Sequence, residues 1–405
     1  MICPTKAPIY LDNCATTKMD PRAVEVMLPY FTQHYGNAAS NSHAYGWTAQ
    51  HAVDVAKQDI ASLIDARPQE IVLTSGATES NNLALTGFAK ANRSTGNHII
   101  TCVTEHKSIL DTCEALSKDG FEITLLPVDE YGRISLAELE AAIRPETILV
   151  SLMMVNNETG TIHPIADIAA ICQRHEIRLH VDATQAVGRL PIDLRELPVD
   201  LMSFSAHKIY GPKGIGALFV RRSRPRIQLD AIIHGGGHQS GMRSGTLAVP
   251  LIVGFGEACR LTKESLVAES TRTRKLRDLL EHTITTAVPG VTINGDPFAR
   301  SSVVTSLSFP GVDGEELLTD LVGVAASAGS ACNSADSKAS YVLSAMGKSS
   351  NEAGATLRLS VGRFTTEQEV RDAATIVIQT VLSLQGDKQR WRETSWPARR
   401  FELAN

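Results

Sequence analysis

Between Ile71 and Val181, short apolar runs alternate with longer stretches of helical spacing, and this alternation constrains the fold more than any single motif. Ile71–Thr74, His98–Cys102, Glu122–Leu126, Thr147–Met153 and Arg178–Val181 have the length and β-branched content of strands. Thr78–Lys90, His106–Lys118, Leu136–Ile143 and Ile165–His175 repeat apolar residues at helical spacing between them. Strands joined through helices cross over and run parallel, with the helices covering the sheet faces. The expected fold is α/β with a largely parallel sheet, in which ligands gather at the carboxyl ends of the strands.

The flanks of this unit read differently. Ile9–Asp12 is a short apolar stretch followed by a turn-like Asn13–Thr17, and Asp20-Pro21 marks the start of a helix. A helix is expected over Ala44–Ile64. After Val249 comes a long helical stretch, rich in Glu, Lys and Arg from Lys263 to Arg277, and the domain change is placed there. Beyond it, strands at Val303–Phe309, Val324–Ser327 and Thr356–Leu359 and helices near Glu315–Leu321 and Glu367–Leu384 suggest a smaller α+β domain. Residues 18–263 then form a large domain, and residues 1–17 with 264–405 a small one. A chain of 405 residues, 43% of them hydrophobic, is long enough for both.

A net charge of -5 gives no electrostatic case for nucleic acid. The seven cysteines form no CxxC pair and suggest neither a disulfide framework nor a metal site, so a reducing compartment, the cytoplasm, is expected. Met1–Tyr10 lacks the pattern of a signal peptide, and no apolar run reaches membrane-spanning length.

Candidate chemistry sits where strands end. Lys208 lies in a Gly- and Pro-rich turn between two apolar runs, Asp200–Phe204 and Ile215–Val220. A desolvated Lys is partly neutral and can hold an aldehyde cofactor such as pyridoxal 5'-phosphate (PLP) as a Schiff base, although a surface Lys in a β-turn reads equally well. Thr74–Ser80 follows a strand and opens a helix, which makes either a phosphate cradle around Gly76 or an ordinary cap. Ser205 and His207 could bond the same phosphate. Asp182, ending a strand, could pair with a protonated ring nitrogen or cap the next turn, and Gln185 could donate to a phenolic oxygen. His106 could stack on a ring and shuttle protons, or simply start its helix. An amide of Asn156 or Asn157 could read the ring oxygen or a substrate carboxylate. Arg358, inside an apolar strand, needs an anionic partner. Cys332 lies among small polar residues with no bulk to bury it, as a nucleophilic cysteine would, or as a small turn residue would.

In one order, LDNCATT, TSGATES, TEHK, VNNETG, HVDATQ, SFSAHKIYGPKG, GGGHQSGMRSGT, SAGSACNSA and LRLSVGRFT resemble the cysteine desulfurases of the class V aminotransferase fold. The match is closest to the bacterial enzymes of iron–sulfur cluster assembly and their nitrogenase-linked relatives, over about Ile9 to Leu384. The resemblance implies PLP fold type I, with the cofactor on Lys208 and its phosphate on Ala77, Thr78, Ser205 and His207. It puts Asp182 on the ring nitrogen, Gln185 on the phenolic oxygen and His106 on the ring face. Asn157 and Arg358 would hold the carboxylate of L-cysteine, and Cys332 would take the sulfur as a persulfide for acceptor or scaffold proteins. Thr246 would reach the partner's phosphate, which implies a homodimer. Cys14, Ala328, Lys338-Ala339 and Ser240 depart from the family pattern. The rival readings are a selenocysteine lyase, another PLP lyase or aminotransferase, or a non-catalytic sulfur-assembly scaffold.

Overall fold

The computed structural model describes residues 7–222, 224–328 and 340–386. After a two-residue strand, β1 (Ile9–Tyr10), come β2 (Ile71–Thr74), β3 (His98–Cys102), β4 (Glu122–Leu126), β5 (Thr147–Met153), β6 (Arg178–Asp182), β7 (Leu201–Ser205) and β8 (Gly216–Val220). The last seven form one sheet in the order β2-β8-β7-β6-β5-β3-β4. Pairing is parallel from β7 through to β4, and β8 is antiparallel to both of its neighbours. The exception has a local cause. The link from β7 to β8 is a short turn carrying Lys208, too short for the crossover that a parallel pair needs.

Alternate strand residues feed two cores, one on each face of the sheet. Ile100, Val150 and Val181 face a core shared with the helices Ala44–Leu63 and Ile165–Arg174. Ile99, Leu149 and Leu218 face a second core against Leu83 and Phe88 and the helix Lys107–Lys118. Because both faces are covered, the central strands read as continuous apolar runs, whereas the edge strand β4 is partly exposed.

The 39-residue helix Val249–Ala287 is a spine common to two cores. Ile252, Phe255 and Cys259 pack on the large sheet, while Leu276, Leu280 and Ile284 pack on a third core. That core covers β9 (Thr292–Asn294), β10 (Val304–Ser308), β11 (Val324–Ala325), β12 (Ser327–Ala328) and β13 (Thr356–Ser360). Four of these strands form an antiparallel sheet in the order β12-β13-β10-β9, while β11 pairs in parallel with β1. The run Val324–Ser327, expected as one strand, therefore splits between two ladders. The strand β9 and the helices Tyr341–Ala345 and Ser350–Gly354 are too short to leave a period in the sequence. The helix expected over Thr78–Lys90 is interrupted by a π turn at Leu83–Gly87.

Candidate active site

A cavity of about 570 Å³ opens at the carboxyl ends of β5, β6 and β7, within the range of small-ligand sites. Lys208 enters it from the turn after β7. Its Nζ donates to the carbonyls of Ala15 (2.6 Å) and Cys14. The preceding His207 sets its Nδ1 3.1 Å from Thr16 Oγ1. Burial, then the Lys208 and Lys213 charges, holds its imidazole down at about 4, so the ring is neutral at physiological pH.

One end of the cavity is a helix start. Gly76 has φ +153°, a left-handed value suited to glycine, and precedes the helix Ala77–Asn82. The first N–H groups of that helix, at Ala77 and Thr78, lack intrahelical acceptors and lie in the cavity wall beside Ser205. Glu79, whose carboxyl is held below its usual range despite burial, accepts from Ser75 N (2.8 Å) and pairs with Arg243 (2.8 Å).

A hydrogen-bonded chain runs beneath the middle. Asp182 ends β6. Its Oδ1 accepts from Thr184 N (2.9 Å), and its Oδ2 accepts from Asn81 Nδ2 (2.8 Å). The same amide donates to Ser108 Oγ (2.8 Å), which lies 2.8 Å from His106 Nδ1. His106 caps the helix Lys107–Lys118, its Nδ1 accepting from Ser108 N (3.1 Å). A neutral ring therefore carries its proton on Nε2. Burial, helped by the Lys208 charge and opposed by Asp182, lowers the His106 pKa and favours that neutral form.

Opposite, Arg358 of β13 is 2% exposed and donates to Asp12 Oδ1 (2.9 Å) and to the Asn157 carbonyl (3.1 Å). Among the described residues, Arg358 Nε, Asn157 Oδ1 and Thr184 Oγ1 are buried without a hydrogen-bond partner, and all three residues line the cavity. Buried polar atoms left open around a cavity point to a polar ligand. Next to Asn157, Glu158 accepts from Ser340 Oγ (2.5 Å), and burial pushes its carboxyl up to about 7 against that bond and the Arg358 charge. Gln185 Nε2 donates to the Cys14 carbonyl (2.9 Å), and its Oε1 accepts from Arg189.

Lys208, His106, Ala77, Thr78 and Asn157 thus share one cavity with Asp182, Gln185, Ser205, His207 and Arg358. Thr246 is exposed and lines no part of it. Cys332 and Lys338-Ala339 lie outside the described residues. Cys14 is in a loop, as expected, but it is buried and its sulfur accepts from Arg189 Nη1 (3.5 Å). Sequence reasoning missed Asn81, Ser108, Asp12 and the Cys14 and Ala15 carbonyls. Asn81 was detectable only as a polar residue on an otherwise apolar helix face.

The family model described as Aminotransferase class-V matches residues 9–372, and the chain belongs to that family. Among curated relatives, it is 52% identical over 388 residues to "Cysteine desulfurase IscS" of Pectobacterium carotovorum, covering 95% of this chain and 96% of the relative. It is 48% identical to the human "Cysteine desulfurase", with coverages of 96% and 85%. A solved "NIFS-LIKE PROTEIN" superposes with a TM-score of 0.86 at 36% identity, covering 93% of this chain and 99% of that one. "SspA in complex with cysteine" superposes at 0.79 with 36% identity, covering 88% and 99%. PLP is the cofactor of this family. The side chains present fit it: an amine, a carboxylate, a helix start with open N–H groups, and buried polar atoms awaiting partners. No helix among the described residues is long and apolar enough to cross a membrane.

Proposed function

We propose that the protein is a cysteine desulfurase that holds PLP on Lys208, converts L-cysteine to L-alanine and retains the sulfur as a persulfide on Cys332. The observation that carries this reading is the meeting of the Lys208 amine, the Asp182 carboxylate and the Arg358 guanidinium around one cavity. Ala77 and Thr78 N–H groups, with Ser205 and His207, would hold the phosphate. Neutral His207 serves there as a hydrogen-bond donor rather than a charge. Asp182, steadied by Asn81 and Thr184 N, would hold a proton on the ring nitrogen, and Gln185 and Asn157 would serve the phenolic oxygen. When bound, the cofactor supplies an electron sink for bond breaking at the substrate's α-carbon.

The remaining steps belong to this chain's residues. Arg358 and Asn157 grip the substrate carboxylate, with Asp12 holding the guanidinium in place beforehand. Lys208 Nζ, freed when the substrate amine takes its place, would remove the α-proton. His106, with its proton on Nε2, would face the cofactor and relay protons. The Cys332 thiolate attacks the substrate sulfur, so that a C–S bond breaks, an S–S bond forms and the carbon product takes up one proton at Cβ and regains the α-proton to become alanine. The same reading includes a homodimer completed by Thr246, a division into residues 18–263 and the remainder, and a cytoplasmic location. Acceptor or scaffold proteins, for iron–sulfur assembly or thiolation, would receive the sulfur.

The test is alanine release. Purified protein given L-cysteine should release alanine, while Lys208→Ala should release none and lose the visible absorbance of the bound cofactor. Visible absorbance that borohydride fixes to a different lysine would overturn the assignment.

A further inference from the structure

We propose that Arg363 and Tyr210 form a brace that positions Lys208, setting the shape of its turn from outside the cavity. The proposal rests on the reading of Lys208 as the cofactor lysine. Tyr210 lies two residues after Lys208 with φ +66°, a left-handed backbone that a bulky side chain adopts only when its surroundings enforce it. Its own backbone is tied on both sides: its N–H donates to Thr17 Oγ1 (2.9 Å), and its carbonyl accepts from Asp20 N (2.9 Å). Those ties fix a turn. The side chain ties that turn to the segment just after β13.

The Tyr210 ring is buried beneath the Arg363 guanidinium, 4.1 Å from its centroid, with Phe364 edge-on at 5.8 Å. Arg363 N donates to Tyr210 Oη (2.7 Å), and burial followed by the Glu269 charge keeps that phenol protonated. Each nitrogen of the guanidinium then donates once, to Asp20 Oδ2 (3.0 Å), Glu269 Oε2 (2.7 Å) and Thr262 Oγ1 (3.2 Å). Arg272, on the long helix, fastens the turn that carries Arg363 by donating to the carbonyls of Gly362 (2.9 Å), Arg363 (2.7 Å) and Thr365 (2.8 Å).

A guanidinium with three polar partners and a ring is a rigid strut, because its planar fork loses little freedom per bond. The strut ends on the one strained residue of the Lys208 turn. It starts five positions beyond Arg358, the residue proposed to grip the substrate carboxylate. One length of chain therefore registers the Lys208 amine against that carboxylate, and displacements of an ångström between reacting groups matter at the hundredfold level.

The experiment compares wild type, Arg363→Gln, Arg363→Lys and Tyr210→Phe as purified holoenzymes. It reads the pH midpoint of the visible cofactor absorbance, the cofactor dissociation constant, and kcat and KM for L-cysteine. Arg363→Gln should shift the midpoint by roughly half a unit or more, weaken cofactor binding and lower kcat about tenfold to hundredfold with a smaller change in KM. Tyr210→Phe keeps the stacked ring but loses the oxygen, and should move the same quantities part of the way. Arg363→Lys keeps the charge but not the fork, and should recover less than half of the loss. Variants that melt lower yet keep the wild-type midpoint, dissociation constant and kcat would make the network mere scaffolding and overturn the proposal. Should Arg363→Gln not accumulate as soluble protein, Tyr210→Phe decides on the same readouts. A wild-type enzyme whose visible band is not fixed to Lys208 by borohydride would instead refute the underlying reading.

Discussion

Replacing Asn81 with aspartate would set a second carboxylate against Asp182 in a buried place. The Asn81 amide now lies 2.8 Å from Asp182 Oδ2 and also donates to Ser108. Two unit charges about 4 Å apart repel by about 4 kcal/mol at an effective dielectric constant of 20. The pair avoids this by retaining a proton, which corresponds to a rise of about 3 units in the pKa of the introduced carboxyl, from about 4 to about 7. A carboxyl raised in the folded state costs little below its unfolded pKa, and its penalty grows as pH rises through the folded one. The variant should therefore lie near wild type at pH 4, apart from the lost donor bonds, about 1.5 kcal/mol below it at pH 5 and about 4 kcal/mol below it at pH 8. Asn81→Ala provides the contrast: it removes donors without adding charge, and should cost about 1–3 kcal/mol with little pH dependence. Denaturant unfolding of the cofactor-free proteins, each compared with wild type at the same pH, measures both. A deficit for Asn81→Asp that is equal at pH 5 and pH 8 would refute the reasoning.

Gly76→Ala should lose about 1–3 kcal/mol of stability and weaken cofactor binding, because φ +153° suits only glycine; an unchanged melt and an unchanged cofactor dissociation constant would remove Gly76 from the phosphate end. Glu158, with its carboxyl raised from 4.5 to about 7, should reduce wild-type stability as pH rises from about 5 to 8, by up to about 3 kcal/mol. Glu158→Gln keeps an acceptor for Ser340 without the charge, so its stability should fall less over that range, and parallel pH curves would contradict the assignment. Cys14→Ser should retain most alanine release, since Lys208 and Gln185 use the Cys14 carbonyl rather than its sulfur; near-complete loss of activity would give that thiol a role of its own.

The sheet was legible because both its faces are covered, which makes β2, β3, β5 and β7 buried throughout and mostly apolar. Lys208, Asp182 and His106 were legible as candidates for a related reason: each stands at the point where such a period stops. Nothing local marks Ser108, and Asn81 is marked only as a polar residue on an apolar helix face. Their importance lies in one amide that reaches two elements distant in the chain. Asp12 was likewise hidden. The sequence demands an anion for Arg358 and suggests a substrate, whereas the protein supplies one of its own from 346 residues away. The split of Val324–Ser327 between two ladders depends on β1 and β13 competing for one run, a tertiary outcome that a period-two pattern does not encode.

The most direct test is to find the sulfur after one turnover. The holoenzyme, reacted with one equivalent of sulfur-labelled L-cysteine, is digested and its cysteine peptides are weighed. The label should appear as a persulfide on the Cys332 peptide in step with alanine release, and Cys332→Ala should release no alanine above background. Label on the Cys14 peptide, or a normal alanine yield from Cys332→Ala, would contradict the proposed chemistry.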